Sequence, residues 1–210
     1  MTLKLYDYWR SSAAYRVRIA LGLADRPFDR VKVDLVAGEH NSDDFRSINP
    51  LAAVPALEID GKVFTQSLAI IEYLHSLHPD AGLMPTDALA QYRVRQLSYA
   101  VAMDIHPICI LRVANHAAVI AGGGDEVKRA WMNRFIREGL VALEGLLQED
   151  DGAVFCFGDS PSMADCCLVP QLYNADRWGA RYDDLARVSA VAERCKPLSA
   201  FADAHPDVAA

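Results

Sequence analysis

Apolar and polar residues alternate at the start of the chain, Leu3 and Leu5 against Thr2 and Lys4, which is the period-two pattern of a half-buried strand. Ser11 or Ser12 then caps a helix in which Ala13, Val17, Ala20, Leu21 and Ala24 share one stripe at the helical period. After a turn at Arg26-Pro27 the alternation returns, with Val31, Val33 and Leu35 set against Lys32 and Asp34. Strand, helix and strand in that order predict a right-handed βαβ unit with parallel strands. Past a polar stretch from Gly38 to Asp44, Asn49-Pro50 marks a turn, and residues 54–59 predict a strand entered through Pro55. A proline there donates no ladder hydrogen bond and so belongs at an edge or strand entry, where a cis bond is accommodated. Asp60-Gly61 closes a tight hairpin into Val63-Phe64, and Gln66-Ser67 opens a helix whose Leu68, Ile71, Leu74 and Leu77 keep one face apolar.

The breakers in His78-Pro79-Asp80-Ala81-Gly82 and Pro85-Thr86-Asp87 predict a domain of residues 1–80 and a linker at 81–87. The remainder, 88–210, reads as helical, with stretches near 88–120, 126–148, 163–177 and 184–194. Pro107 is expected to kink the first of these. Ser162 and Asp165 have the spacing of a capping box, a local start signal worth about 1 kcal/mol.

With 210 residues, 52% of them hydrophobic, the chain can bury one good core or two small ones. No apolar run reaches membrane-spanning length, and the first residues lack the pattern of a secretory signal, so a cytoplasmic protein is expected. A net charge of −7 disfavours nucleic acid and anionic membranes as partners, since both need a basic surface. The five cysteines include no CxxC pair, which speaks against a disulfide framework, a zinc knuckle and thioredoxin-type exchange. His75 and His78 lie three apart on a helix without a third ligand at matching spacing, so no metal is expected. Gly122-Gly123-Gly124 lacks the lysine and hydroxyl of a phosphate loop and reads as a helix stop.

The segment from Tyr8 to Leu21, with Ser11-Ser12 and Arg16-Val17-Arg18-Ile19-Ala20-Leu21, resembles the zeta-class glutathione transferase signature S-S-C-x-W-R-V-R-I-A-L. Val54-Pro55-Ala56-Leu57, Gln66-Ser67 with the helix after it, and Met163-Ala164-Asp165 with Leu168-Val169-Pro170-Gln171 match the same family in the same order. The resemblance implies an α/β plus all-α protein: a thioredoxin-like domain, β-α-β-α-β-β-α, followed by an all-helical one. It implies glutathione as cofactor, a homodimer, and cis–trans isomerisation of a maleyl diketo acid. Maleylacetoacetate is favoured over maleylpyruvate by the double serine. General conjugation of electrophiles and a non-catalytic scaffold are the rival readings; the retained serines and arginines speak against the second.

The chemistry asks for an ionised sulfur. Lowering a thiol pKa from about 8.5 to about 6.5 takes roughly 2.7 kcal/mol. A hydroxyl hydrogen bond to a charged acceptor contributes about 1.5–3 kcal/mol and a helix N-terminus about 0.3–1 kcal/mol, and the two converge at Ser11 and Ser12. The plain reading is that these serines cap a helix; with two present, one is expected to cap and Ser11 to serve the sulfur. The match further implies that Gln66 and Ser67 hold the γ-glutamyl carboxylate, Val54 before Pro55 pairs with the cysteinyl backbone, and His40 meets the glycine carboxylate. Arg10, His106, Arg112 and Arg177 are then the candidates for the acidic substrate. Ala13 stands where the family has cysteine, which disfavours reactions that need a second thiol. Cys109 and Ile110 replace amide side chains of the family. Arg16 and Arg18 are expected to be structural, in interdomain ion pairs or dimer contacts.

Overall fold

Four short strands form one mixed sheet in the order β2-β1-β3-β4. In the computed structural model, which describes residues 2–150 and 152–210, β1 (Leu3–Asp7) pairs in parallel with β2 (Asp29–Lys32). It pairs antiparallel with β3 (Ala56–Ile59), which in turn pairs antiparallel with β4 (Lys62–Thr65). The β3–β4 turn is Asp60-Gly61, with φ of 48° and 82°, the left-handed pair that matches the twist of a two-residue hairpin. β2 begins earlier than the alternation suggested, because its register is set by Lys4 to Asp7 of β1 rather than by its own apolar residues. The polar stretch is shaped by a 3-10 turn at Glu39–Asn41 and by helix α2 (Asp43–Ile48), capped by Ser42.

Helix α1 (Ser12–Leu23) joins β1 to β2 and α3 (Ser67–Leu77) follows β4. The stripe of Val17, Ala20, Leu21 and Ala24 is buried as expected, but Ala14 takes the inner position and Ala13 stays partly exposed. Residues off the stripe are buried too, Arg16 and Arg18 among them. The cover over Arg18 comes from the far end of the chain, and Arg16 meets Ser67 of α3. Compact packing separates Met1–Met84 with Pro197–Ala210 from Pro85–Lys196. The sequence expectation ran the helical domain to residue 210, whereas the last residues, including α9 (Ser199–Ala202), fold onto α1. Gly22 is the point of closest approach: a Cβ there would lie 3.0 Å from the Ala200 backbone. Leu83 and Met84, placed in the linker by sequence, are buried with the first unit.

In the second unit, α4 (Ala88–Tyr99) widens into a π segment, Ala100–Ile105, and stops; α5 (Leu111–Ile120) starts afresh. The expected kinked helix over 88–120 is therefore two helices, since Pro107 has no N–H to continue the ladder. Trp131 of α6 (Asp125–Leu147) donates its indole N–H to the Ile108 carbonyl at 2.9 Å and anchors the break. Helices α7 (Met163–Trp178) and α8 (Ala186–Cys195) complete the unit. Glu144, buried on α6, accepts the Arg187 and Val188 backbone N–H groups at 2.9 Å each and so caps α8 from a distance. No helix among the described residues is long and apolar enough to cross a membrane.

Candidate active site

The corner between β1 and α1 is held from beneath. Asp7, fully buried at the end of β1, accepts Arg18 Nη1 at 2.7 Å and also Arg30 Nε. Arg18 donates Nη2 to the Trp9 carbonyl and Nε to the Ala204 carbonyl, both at 3.0 Å. Burial pulls the Arg18 guanidinium below its ordinary value and Asp7 works against that pull. The expected interdomain role of Arg18 is thus corrected: its ion pair lies inside the first unit, where it clamps the backbone on which residues 8–11 turn.

Ser11 N–H bonds the Tyr8 carbonyl at 2.8 Å, closing that turn, and Ser11 is the N-cap of α1, its Oγ accepting Ala14 N–H at 3.2 Å. The division of labour expected from the sequence had left capping to Ser12; the structure gives it to Ser11, with Ser12 buried as the first helical residue. A hydroxyl has two lone pairs and one proton, so accepting from Ala14 leaves the Ser11 proton available to an anion. The first turn of α1 contains no acidic residue, which keeps its N-terminal field positive.

Arg10 lies over its neighbours, its guanidinium carbon 4.5 Å from the Trp9 ring centroid, and Nη2 donates to the Tyr8 hydroxyl at 2.9 Å. Tyr8 itself packs against the buried cluster of Ala14, Val33, Phe45 and Val54, in which the start of α1 and the approach to β3 come together. The Val54-Pro55 bond is cis, as expected. His40 is partly buried in the 3-10 turn; Nε2 lies 3.1 Å from Asn41 Nδ2, and Nδ1 has no hydrogen-bond partner among the described residues. At the start of α3, Gln66 has φ of 70° and ψ of 109°, a strained backbone for a side-chain-bearing residue. Ser67 is buried, and Arg16 Nη1 donates to its Oγ at 3.3 Å. That bond ties α1 to α3 within one unit and leaves the Ser67 proton to donate elsewhere.

The remaining candidates belong to the helical unit. His106 follows the π segment, its backbone N–H bonded to Val101 O at 2.9 Å. Arg112 is exposed in the first turn of α5, and Arg177 is exposed in the last turn of α7, 6.0 Å from the Trp178 ring centroid. All five cysteines are buried free thiols; burial pushes Cys109 up to about 12, too high for a thiolate at neutral pH.

The profile described as "Glutathione S-transferase, N-terminal domain" matches residues 1–76, and "Glutathione S-transferase, C-terminal domain" matches residues 125–204. The chain belongs to the glutathione S-transferase family. Its zeta-class character rests on relatives at nearly full length. Maleylacetoacetate isomerase of Rhizobium meliloti (strain 1021) is 50% identical over 97% of this chain and 95% of its own. A holo structure of maleylpyruvate isomerase, a bacterial zeta-class glutathione transferase, superposes with a TM-score of 0.94 at 39% identity, covering 98% of this chain and 97% of that one. Maleylacetoacetate isomerase of Methylobacterium extorquens AM1, solved with malonate and GSH bound, gives 0.93 at 38% identity, covering 98% and 97%.

Within this glutathione S-transferase, sequence reasoning missed two residues that the structure brings to the candidate site. Tyr8 was read only as part of a motif, although it stands two residues before Arg10, the spacing that lets the two side chains meet where a strand ends. Arg16 was read as an interdomain or dimer contact, and its bond to Ser67 had no local signal, the two being 51 residues apart.

Proposed function

We propose that this chain is a glutathione-dependent cis–trans isomerase of a maleyl diketo acid, with maleylacetoacetate as its first substrate. The observation that carries the reading is the open start of α1: a capping serine whose proton is free to donate, no acid in the first turn, and a guanidinium on the preceding residue. The donor set suits an anionic tripeptide. Ser67 and the backbone amides at the start of α3 suit the γ-glutamyl carboxylate, with the strained Gln66 setting their direction. The Nδ1 of His40, without a partner among the described residues, suits the glycine carboxylate, and the backbone of Val54, just ahead of β3, is the candidate for pairing with the cysteinyl part.

Glutathione, when bound, supplies the sulfur that adds to the double bond, lets it rotate and leaves again. Ser11 donates to that sulfur, its hydroxyl polarised by the Ala14 N–H it accepts; Ser12 is the second candidate. Arg10 holds a substrate carboxylate and offsets charge arriving on the neighbouring oxygen, and His106, Arg112 and Arg177 are the helical unit's share of substrate binding. Buried Cys109 takes no part as a nucleophile. The 50% identity to a maleylacetoacetate isomerase favours that substrate, and maleylpyruvate is the second to try. The enzyme works in the cytoplasm as a homodimer on this reading.

The test is loss of the enol absorbance of each substrate with glutathione present, together with glutathione binding by calorimetry. Turnover of maleylacetoacetate at a higher kcat/KM than maleylpyruvate is expected, and Arg177→Ala should raise KM with kcat nearly unchanged. Glutathione binding without turnover of either substrate would overturn the isomerase reading in favour of general conjugation. Absence of both would leave only a scaffold.

A further inference from the structure

Arg10 donates its hydrogen bond to a phenol, the hydroxyl of Tyr8. A guanidinium carries five donors, and this one sits in an aromatic corner. Its carbon lies 4.5 Å from the Trp9 ring centroid and 5.8 Å from that of Tyr8, and the two rings are 6.2 Å apart at 51°. Nη2 bonds the Tyr8 hydroxyl at 2.9 Å. Nε is shielded from water without a hydrogen-bond acceptor, and no carboxylate among the described residues is paired with the side chain. A cation so placed has one edge fixed and the rest of its donors uncommitted.

The fixing is firm because Tyr8 cannot follow the arginine. Tyr8 packs against the buried cluster of Ala14, Val33, Phe45 and Val54, which come from α1, the residue after β2, α2 and the approach to β3. A long side chain that would otherwise sample many rotamers is thereby held in one. We propose that Tyr8 is a positioning residue for Arg10, and that its hydroxyl fixes the guanidinium for two-point capture of a small dicarboxylate. The inference rests on the role given to Arg10 above and deepens it: discrimination for dianions is built by a residue that need not touch the substrate.

The experiment is calorimetric titration of the chain with malonate, with and without glutathione, a readout that needs no turnover. Tyr8→Phe keeps the ring and removes one hydrogen bond, so malonate should bind about three- to tenfold more weakly. Arg10→Ala should weaken it at least as much, and Tyr8→Phe added to Arg10→Ala should change nothing further. In turnover assays Tyr8→Phe should raise KM for the maleyl substrate and leave kcat and glutathione affinity in place. Equal losses from Tyr8→Phe in both backgrounds would overturn the proposal, as would a fall in kcat without a rise in KM, or no malonate binding by the native chain. A chain that binds malonate with the expected coupling but isomerises nothing would sink the isomerase reading and leave this one standing.

Discussion

Two helices in this molecule begin on a serine cap with a buried aspartate close by, and they put the same parts to opposite uses. At α7, Asp165 turns back on the backbone: its carboxylate accepts Cys156 N–H at 2.9 Å and Ser162 N–H at 2.8 Å, and Ser162 Oγ lies 3.1 Å from it. The capping box is closed, fully buried, and offers nothing to a ligand. At α1, Asp7 is occupied by Arg18 and Arg30 instead, and the third helical position is Ala14 rather than an acid. The corner is held by side chains from beneath, and the Ser11 hydroxyl, accepting only from Ala14 N–H, keeps its proton to donate. A helix start becomes a site when its anion is supplied from outside, and a structural joint when it carries its own.

The strongest way to break this contrast is Asp7→Ala, which strands Arg18 without its partner and is expected to cost about 3–5 kcal/mol in urea unfolding. A loss under about 1 kcal/mol would mean the corner is held by something else. Asp165→Ala should cost about 2–4 kcal/mol by leaving two buried N–H groups unsatisfied, while the remaining folded protein keeps its kcat. A matching fall in kcat would erase the distinction between joint and site. Ser11→Ala should lower kcat about ten- to a hundredfold, the worth of a hydrogen bond to an ionised sulfur, with only about 1 kcal/mol lost in stability. Equal kcat losses for Ser11→Ala and Ser12→Ala would defeat the assignment of roles. The smallest and most pointed change is Ala13→Asp, which gives α1 the internal acid it lacks. It should stabilise the helix by about 0.3–1 kcal/mol and raise the pKa of bound glutathione by up to about one unit, read from ultraviolet thiolate absorbance against pH. An unmoved titration would show that the sulfur is not at this helix start.

Much of this was legible in the sequence because it is local. The Ser162 to Asp165 spacing announced its capping box, Asp60-Gly61 its hairpin, and Ser11-Ser12 a helix start between strand and stripe. What was not legible depends on partners far along the chain. Arg16 and Arg18 lie off the apolar stripe of α1 and read as interdomain or dimer contacts, yet both are buried within the first unit, Arg18 under residues near 200 and Arg16 against Ser67 of α3. Glu144 has no cap motif around it, since the amides it serves are 43 and 44 residues away. Periodicity also merged α4 and α5 into one helix, because a π segment leaves the apolar pattern running while it shifts the hydrogen-bond ladder.

The stitching of the last residues onto the first helix has a bearing on synthesis. Arg18 binds the Ala204 carbonyl, Tyr15 reaches the Phe201 carbonyl at 3.4 Å, and Gly22 abuts Ala200. A ribosome releases the β1–α1 corner early, but its covering layer only after the whole helical unit has been made. Until then Arg18 of α1 lacks its Ala204 partner on a nascent thioredoxin-like fold, so the unit that is translated first is the one that is finished last.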